Sequence, residues 1–206
     1  TSKVLPSNLD YESVIESCHA SLDRLGTDYL DLYLIHWPNP AISLRETLAA
    51  FERLQEDGLI RNVGVSNFST YQLRFARHIS DVPIAVNQIE FHPLLYRERL
   101  LSFCQEHDVA VTAAAPLARA KVFDHPVIGE VADAYDRSPV QVALRWELQK
   151  GVIPIPKSTT PEHIRSNLDV FEWELDDEDV ARIDDIDAHE RVYMIDPEGD
   201  VYGISR

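Results

Sequence analysis

The sequence predicts an α/β protein of the (β/α)8 TIM-barrel class, lacking roughly its first two to three strands. Three observations point there. Strand-like and helix-like segments alternate along the chain. The strand-like segments are almost wholly apolar, as expected of a parallel sheet covered on both faces. Several of them end in polar or chain-breaking residues, and barrels build their chemistry at the C-terminal ends of strands. No Gly-x-Gly-x-x-Gly follows a strand, which argues against a doubly wound dinucleotide fold.

The elements follow in order. Thr1 to Pro6 reads as the tail of a strand. Leu9 to Leu25 is helical, opened by Ser7 or Asn8 as cap and stopped at Gly26. Leu30 to Ile35 is a strand running into His36-Trp37-Pro38. Ser43 to Asp57 is a helix that Gly58 ends. Ile60 to Val65 is a strand leading to Ser66-Asn67-Phe68, and Thr70 to His78 a helix. Ile84 to Phe91 is a strand closing at His92-Pro93. Arg97 to His107 is a helix, and Val109 to Ala115 a strand closing at Pro116. Helices span Val127 to Tyr135 and Pro139 to Gln149. Val152 to Ile155 is a strand closing at Pro156-Lys157-Ser158, with helices at Pro161 to Asn167 and Asp177 to Ile186. The whole, 1–206, reads as one partial barrel domain with an irregular tail at 188–206. A complete barrel has typically ~250 residues, roughly 30 per unit, so the expected deficit is on the order of 60–80 residues at the N-terminus.

Of the 206 residues, 45% are hydrophobic, enough for a sizeable core. The formal net charge is −16, from 35 acidic against 19 basic residues. Such a surface repels nucleic acid and anionic membranes. Only Lys3, Lys121, Lys150 and Lys157 are lysine. An acidic, lysine-poor surface repels itself in dilute buffer and is screened in brine, as in a halophile's cytoplasm. Cys18 and Cys104 form no Cys-x-x-Cys and read as buried thiols. No window holds 18 uninterrupted apolar residues, so no membrane span is expected, and no signal peptide is visible. A cytoplasmic location is expected.

One residue stands out on position, His36, while a lone lysine near an N-terminus such as Lys3 by itself reads as a solvated charge. His36 ends an apolar strand, and Lys3 lies in the strand tail before it. Trp37 reads as a pocket wall more readily than as core. His92 also ends a strand, but Phe-His-Pro reads as loop packing. His19, His78, His107, His125 and His189 show no metal-ligand spacing, so no metal is expected. The acidic run 172–187 reads as a solvated helix with an acid-rich N-terminus, and lacks the alternating ligands of a calcium loop.

Five blocks in order carry a resemblance: Thr-Ser-Lys at 1–3, Leu-Gly-Thr-Asp-Tyr-Leu-Asp-Leu-Tyr-Leu-Ile-His-Trp-Pro at 25–38, Gly-Leu-Ile-Arg-Asn-Val-Gly-Val-Ser-Asn-Phe at 58–68, Val-Asn-Gln-Ile-Glu-Phe-His-Pro at 86–93, and Ile-Pro-Lys-Ser-Thr-Thr at 155–160. The chain resembles the aldo-keto reductases, in the branch of bacterial diketogluconate and methylglyoxal reductases. The resemblance implies hydride transfer from a nicotinamide cofactor to an aldehyde or ketone, with a tyrosine protonating the alkoxide. Four residue types carry that chemistry: Asp, Tyr, Lys and His. Lys3 matches the lysine, whose charge lowers the tyrosine pKa. His36 matches the histidine that orients the carbonyl. The family's Asp and Tyr lie upstream of the lysine, so this chain is expected to lack them and to be a piece of a longer reductase. Tyr11, Tyr29 and Tyr33 are no substitutes.

The resemblance also implies a cofactor site. Ser66, Asn67 and Gln88 match the nicotinamide contacts. Lys157 and Ser158 match the phosphate-binding pair, Leu117 the loop folding over the cofactor, and Asn167 a residue near the adenine. Two positions depart. Ala114 stands where an aromatic often stacks on the nicotinamide. His163 stands where an arginine clamps the 2′-phosphate, with Arg165 two residues on. Arginine's bidentate contact is one that histidine does not reproduce. NADPH is the expected cofactor, with NADH a second option. The expected partner is a small carbonyl substrate, bound by a monomer. The alternative readings are a catalytically inactive cofactor-binding protein and an inert fragment. Arg191, Tyr193 and Tyr202 in the tail are further candidates to meet substrate.

Overall fold

The structure, a computed structural model, describes residues 1–193. Most of the expected 188–206 tail, Tyr202 included, lies outside the described residues. The architecture is a partial (β/α)8 barrel. Its six strands are parallel and follow chain order: β1 Ser2–Val4, β2 Leu30–Ile35, β3 Ile60–Ser66, β4 Ile84–Glu90, β5 Ala110–Ala114 and β6 Ile153–Pro154. The helices are α1 Tyr11–Leu25, α2 Leu44–Glu56, α3 Thr70–Ile79, α4 Glu98–Glu106, α5 Pro126–Ala134, α6 Pro139–Gln149, α7 Pro161–Leu168 and α8 Asp177–Asp184. No described helix is long and apolar enough to cross a membrane. The described residues divide into two compact units, one of Thr1–Gln88 with Leu100–Ala110, the other of Ile89–Arg99 with residues 111–193.

In the first unit, β1 to β4 lie side by side. Ser2, Lys3 and Val4 pair with Tyr33, Leu34 and Ile35 of β2. One sequence expectation needs correction. Pro6–Asn8 forms a short 3-10 turn, so neither Ser7 nor Asn8 caps α1; Asp10 does, accepting the Ser13 amide at 3.0 Å. Gly26 then ends α1 with φ at 64°, a left-handed conformation that costs glycine no Cβ clash. Val14, Cys18 and Leu22 of α1 and Leu48, Phe51 and Leu54 of α2 are buried. Tyr33 stacks on Phe51 at 5.1 Å between ring centroids. Both cysteines are buried, and neither forms a disulfide.

Gly64 of β3 sits between Leu34 of β2 and Val86 of β4. A Cβ built there would meet Leu34 Cδ2 at 2.7 Å and the Val86 carbonyl oxygen at 3.1 Å. The backbone contact does not give way as a side-chain tip does. Gly64→Ala is therefore expected to destabilise the protein by about 1–3 kcal/mol, read as a lower urea midpoint.

In the second unit, Trp146 of α6 is fully buried. It stacks on Phe91 at 5.4 Å and meets the edge of Tyr96, also at 5.4 Å. Its indole N–H donates to Asp184 Oδ1 at 2.8 Å, and Lys150 bonds the other oxygen of that carboxylate at 2.8 Å. The acidic run is therefore not wholly solvated. Asp177, Glu178 and Asp179 complement the first turn of α8, while Asp184 faces inward to tie α8 to α6. Beside Trp146, Glu147 is 0% exposed and neither carboxyl oxygen has a hydrogen-bond partner. Burial pushes its carboxyl pKa well above the ordinary range.

Candidate active site

The first unit brings five of the sequence-predicted residues together at the ends of β1 to β4. Lys3 is placed by the pairing of β1 with β2, and the His36 amide donates to the Val4 carbonyl at 3.0 Å. Lys3 Nζ donates to Gln88 Oε1. The Ser66 hydroxyl donates to the Gln88 carbonyl at 2.8 Å, as does the Asn67 amide, also at 2.8 Å. Asn67 Nδ2 reaches the His36 carbonyl at 3.1 Å. Asn67 holds φ at 63°, which asparagine tolerates better than most residues. It thereby joins the ends of three neighbouring strands.

Electrostatics follow from this packing. Burial lowers the pKa of the Lys3 ammonium. Burial also lowers the pKa of His36, and the nearby Lys3 charge lowers it further. A neutral imidazole beside a cation can hydrogen-bond a carbonyl oxygen, while the cation favours negative charge developing nearby. Trp37, half-buried, follows His36 directly. Tyr33 is excluded from proton transfer by its place. It is fully buried within β2, and burial raises its hydroxyl far above the ordinary tyrosine value.

The second unit holds the remaining predicted residues around one cavity of about 570 Å3. Leu117, Lys157, Ser158, His163 and Asn167 all line it, together with Arg119. Lys157 and Ser158 follow β6 and precede α7. The Thr160 amide donates to Ser158 Oγ at 3.1 Å, which shapes the approach to the helix. Cationic side chains and the N-terminal end of α7 make this cavity suited to a phosphate-bearing ligand. Ala114 offers no ring surface; its carbonyl accepts the Phe91 amide at 3.3 Å. Among the described residues no cluster of His, Cys, Asp or Glu could hold a metal ion.

His92 is loop packing, as the sequence suggested: it is fully buried and bonds Glu90 at 3.1 Å. The sequence reading passed over Glu90 and Arg119. Glu90 accepts the backbone amides of Val192 and Tyr193, and Arg119 lies between the cavity and Tyr193. The one available signal was a carboxylate at the last position of an interior strand, Ile84–Glu90.

Comparison with known proteins agrees with this geometry. The aldo/keto reductase family model matches residues 1–188. The chain is 41% identical over 192 residues to a glyoxal reductase of Bacillus subtilis, covering 93% of this chain and 69% of that protein. It is 42% identical over 191 residues to an aldo-keto reductase of Mycobacterium sp. (strain KMS), covering 92% and 69%. The crystal structure of a Bombyx mori aldo-keto reductase in complex with NADP superimposes with a TM-score of 0.87 at 33% identity, over 95% of this chain and 70% of that one.

Proposed function

Because this chain belongs to the aldo/keto reductase family, an oxidoreductase family, we propose that it reduces an aldehyde or ketone to the alcohol with NADPH. The observation that carries the reading is the hydrogen-bonded set Lys3, Gln88, Ser66, Asn67 and His36 at consecutive strand ends. The chemistry a nicotinamide held there would supply is a hydride for the carbonyl carbon. His36 orients the carbonyl oxygen with its imidazole, and Trp37 lines the substrate pocket. Lys3 stabilises the negative charge left on the proton donor, which in the family is a tyrosine. Ser66, Asn67 and Gln88 hold the nicotinamide amide. Lys157 and Ser158 hold phosphate, Leu117 covers the cofactor, and His163 and Asn167 lie toward the adenosine. Lys157 favours NADPH over NADH. The reading places the protein in the cytoplasm as a monomer acting on small carbonyl compounds, with its charge of −16 suited to a salty interior.

Titration with NADPH in molar KCl, followed by cofactor fluorescence, tests this. Saturable binding with Kd on the order of 1 μM is expected, about −8 kcal/mol. Lys157→Met is expected to weaken NADPH binding roughly tenfold by removing a charge-assisted contact. Loss of absorbance at the reduced-nicotinamide band on adding methylglyoxal reads turnover in the same cuvette. A folded protein that does not bind NADPH sinks the proposal.

A further inference from the structure

From Ala115 to Ala120 the backbone is unusual. Ala115, Ala118, Arg119 and Ala120 hold φ at 51°, 46°, 51° and 77°, and none is glycine. Such conformations persist only where the surroundings over-determine them. Leu117, Arg119 and Ala120 of this stretch form one wall of the cavity. Two internal bonds shape the turn, from the Ala118 amide to the Ala115 carbonyl at 2.9 Å and from the Ala120 amide to the Leu117 carbonyl at 2.8 Å. They do not fix where the turn sits.

Ala118 and Val122, fully buried, seat it from the side of α5 and α6, and residues 190–193 hold it from the other. Lys121 Nζ meets Glu190 Oε2 at 2.5 Å, and the Arg119 guanidinium lies 5.8 Å from the centre of the Tyr193 ring. That short segment is itself clamped. The Glu190 amide donates to the Leu94 carbonyl at 2.8 Å. The Val192 and Tyr193 amides donate to the two oxygens of Glu90, at 2.6 and 3.0 Å. Glu90 is only 4% exposed. Burial alone would raise its carboxyl pKa, but hydrogen bonds from His92, Val192 and Tyr193 bring it below the ordinary value. The clamp is thus an ionised carboxylate in a dry place, where charge-assisted bonds are strong.

We propose that Glu90 is a positioning residue for cofactor retention. Through Val192 and Tyr193 it fixes the Leu117–Ala120 wall against the cavity, and so sets how fast a dinucleotide leaves. This rests on the reading that the cavity holds the cofactor phosphates. Opening of such walls commonly limits release. The two outer links are unequal. The Lys121–Glu190 pair is about half exposed on both sides and contributes little. The buried Glu90 bonds carry the latch. Glu90→Gln keeps the shape, but its amide oxygen accepts at one side while its NH2 faces a backbone N–H, donor against donor.

Stopped-flow release of NADPH, chased with excess NADP+, tests the proposal alongside circular dichroism and Tm. Glu90→Gln is expected to speed release about tenfold, with association unchanged, for the loss of one charge-assisted bond. Lys121→Met is expected to change release less than about threefold. If Glu90→Gln does not fold, Tyr193→Leu cuts the same chain of contacts at its other end and is expected to speed release severalfold. Variants that fold with wild-type release rates overturn the proposal, as does a lowered Tm without faster release. Failure of the wild-type protein to bind NADPH overturns the cofactor reading itself, a result distinct from wild-type binding with unaffected variants.

Discussion

Lys3→Met is expected to raise the His36 pKa, with NADPH affinity changed only a few-fold. Methionine keeps the apolar stem of lysine and so the burial around His36. What it removes is the positive charge. In the native protein burial depresses the His36 pKa first, and the Lys3 charge adds to it. Without that charge the imidazolium forms more readily, so the His36 titration moves to higher pH. Two-dimensional NMR of the ring resolves this in the absence of any turnover. A His36 titration that stays in place would contradict the proximity of the two charges.

The second large effect concerns Glu147, fully buried with both oxygens unpartnered. Its folded-state pKa is raised well above the ordinary carboxylate value. The folded protein therefore keeps a proton that the unfolded chain gives up. The stability this group allows is fully present below the unfolded pKa of about 4.3 and falls as pH rises toward the folded value. Within that window the fall approaches about 1.4 kcal/mol per pH unit. Glu147→Gln carries no titrating group, so its stability lacks this slope. Urea unfolding of both proteins at fixed salt is expected to show the glutamine variant gaining on the wild type as the pH rises above the ordinary carboxylate range. A difference independent of pH would mean that Glu147 is ionised in the folded protein.

Much of the fold was legible because apolar periodicity and turn residues agree along this chain. The strand Leu30–Ile35 is read without error, since its apolar run is bounded by Tyr29 and by His36-Trp37-Pro38. The capping boxes of Ser69 with Gln72 and Ser138 with Gln141 mark helix starts that the sequence places within a residue. The start of α1 was misjudged because Pro6 drives a 3-10 turn that uses up Ser7 and Asn8 before Asp10 caps. The left-handed backbone after Pro116 was not legible, because alanine in that conformation leaves no mark in the sequence. The predicted site residues cluster as two groups, one per unit, since strand ends and motif blocks are local features. Glu90 escaped notice for the opposite reason. Its partners are backbone amides roughly a hundred positions away, and any residue supplies a backbone amide.

The strand order has a kinetic consequence. In the first unit each strand pairs with the one that follows it in the chain, β1 with β2, β2 with β3, and β3 with β4. Within this run of four strands none waits for a partner made much later. Loop closure between partners is short, which favours fast folding. As the chain leaves the ribosome, each new strand meets a ready template, and its exposed edge is covered by the next. The same order leaves an unpaired edge at every stage of synthesis, so the growing chain is most at risk of wrong pairing when translation pauses between one strand and the next.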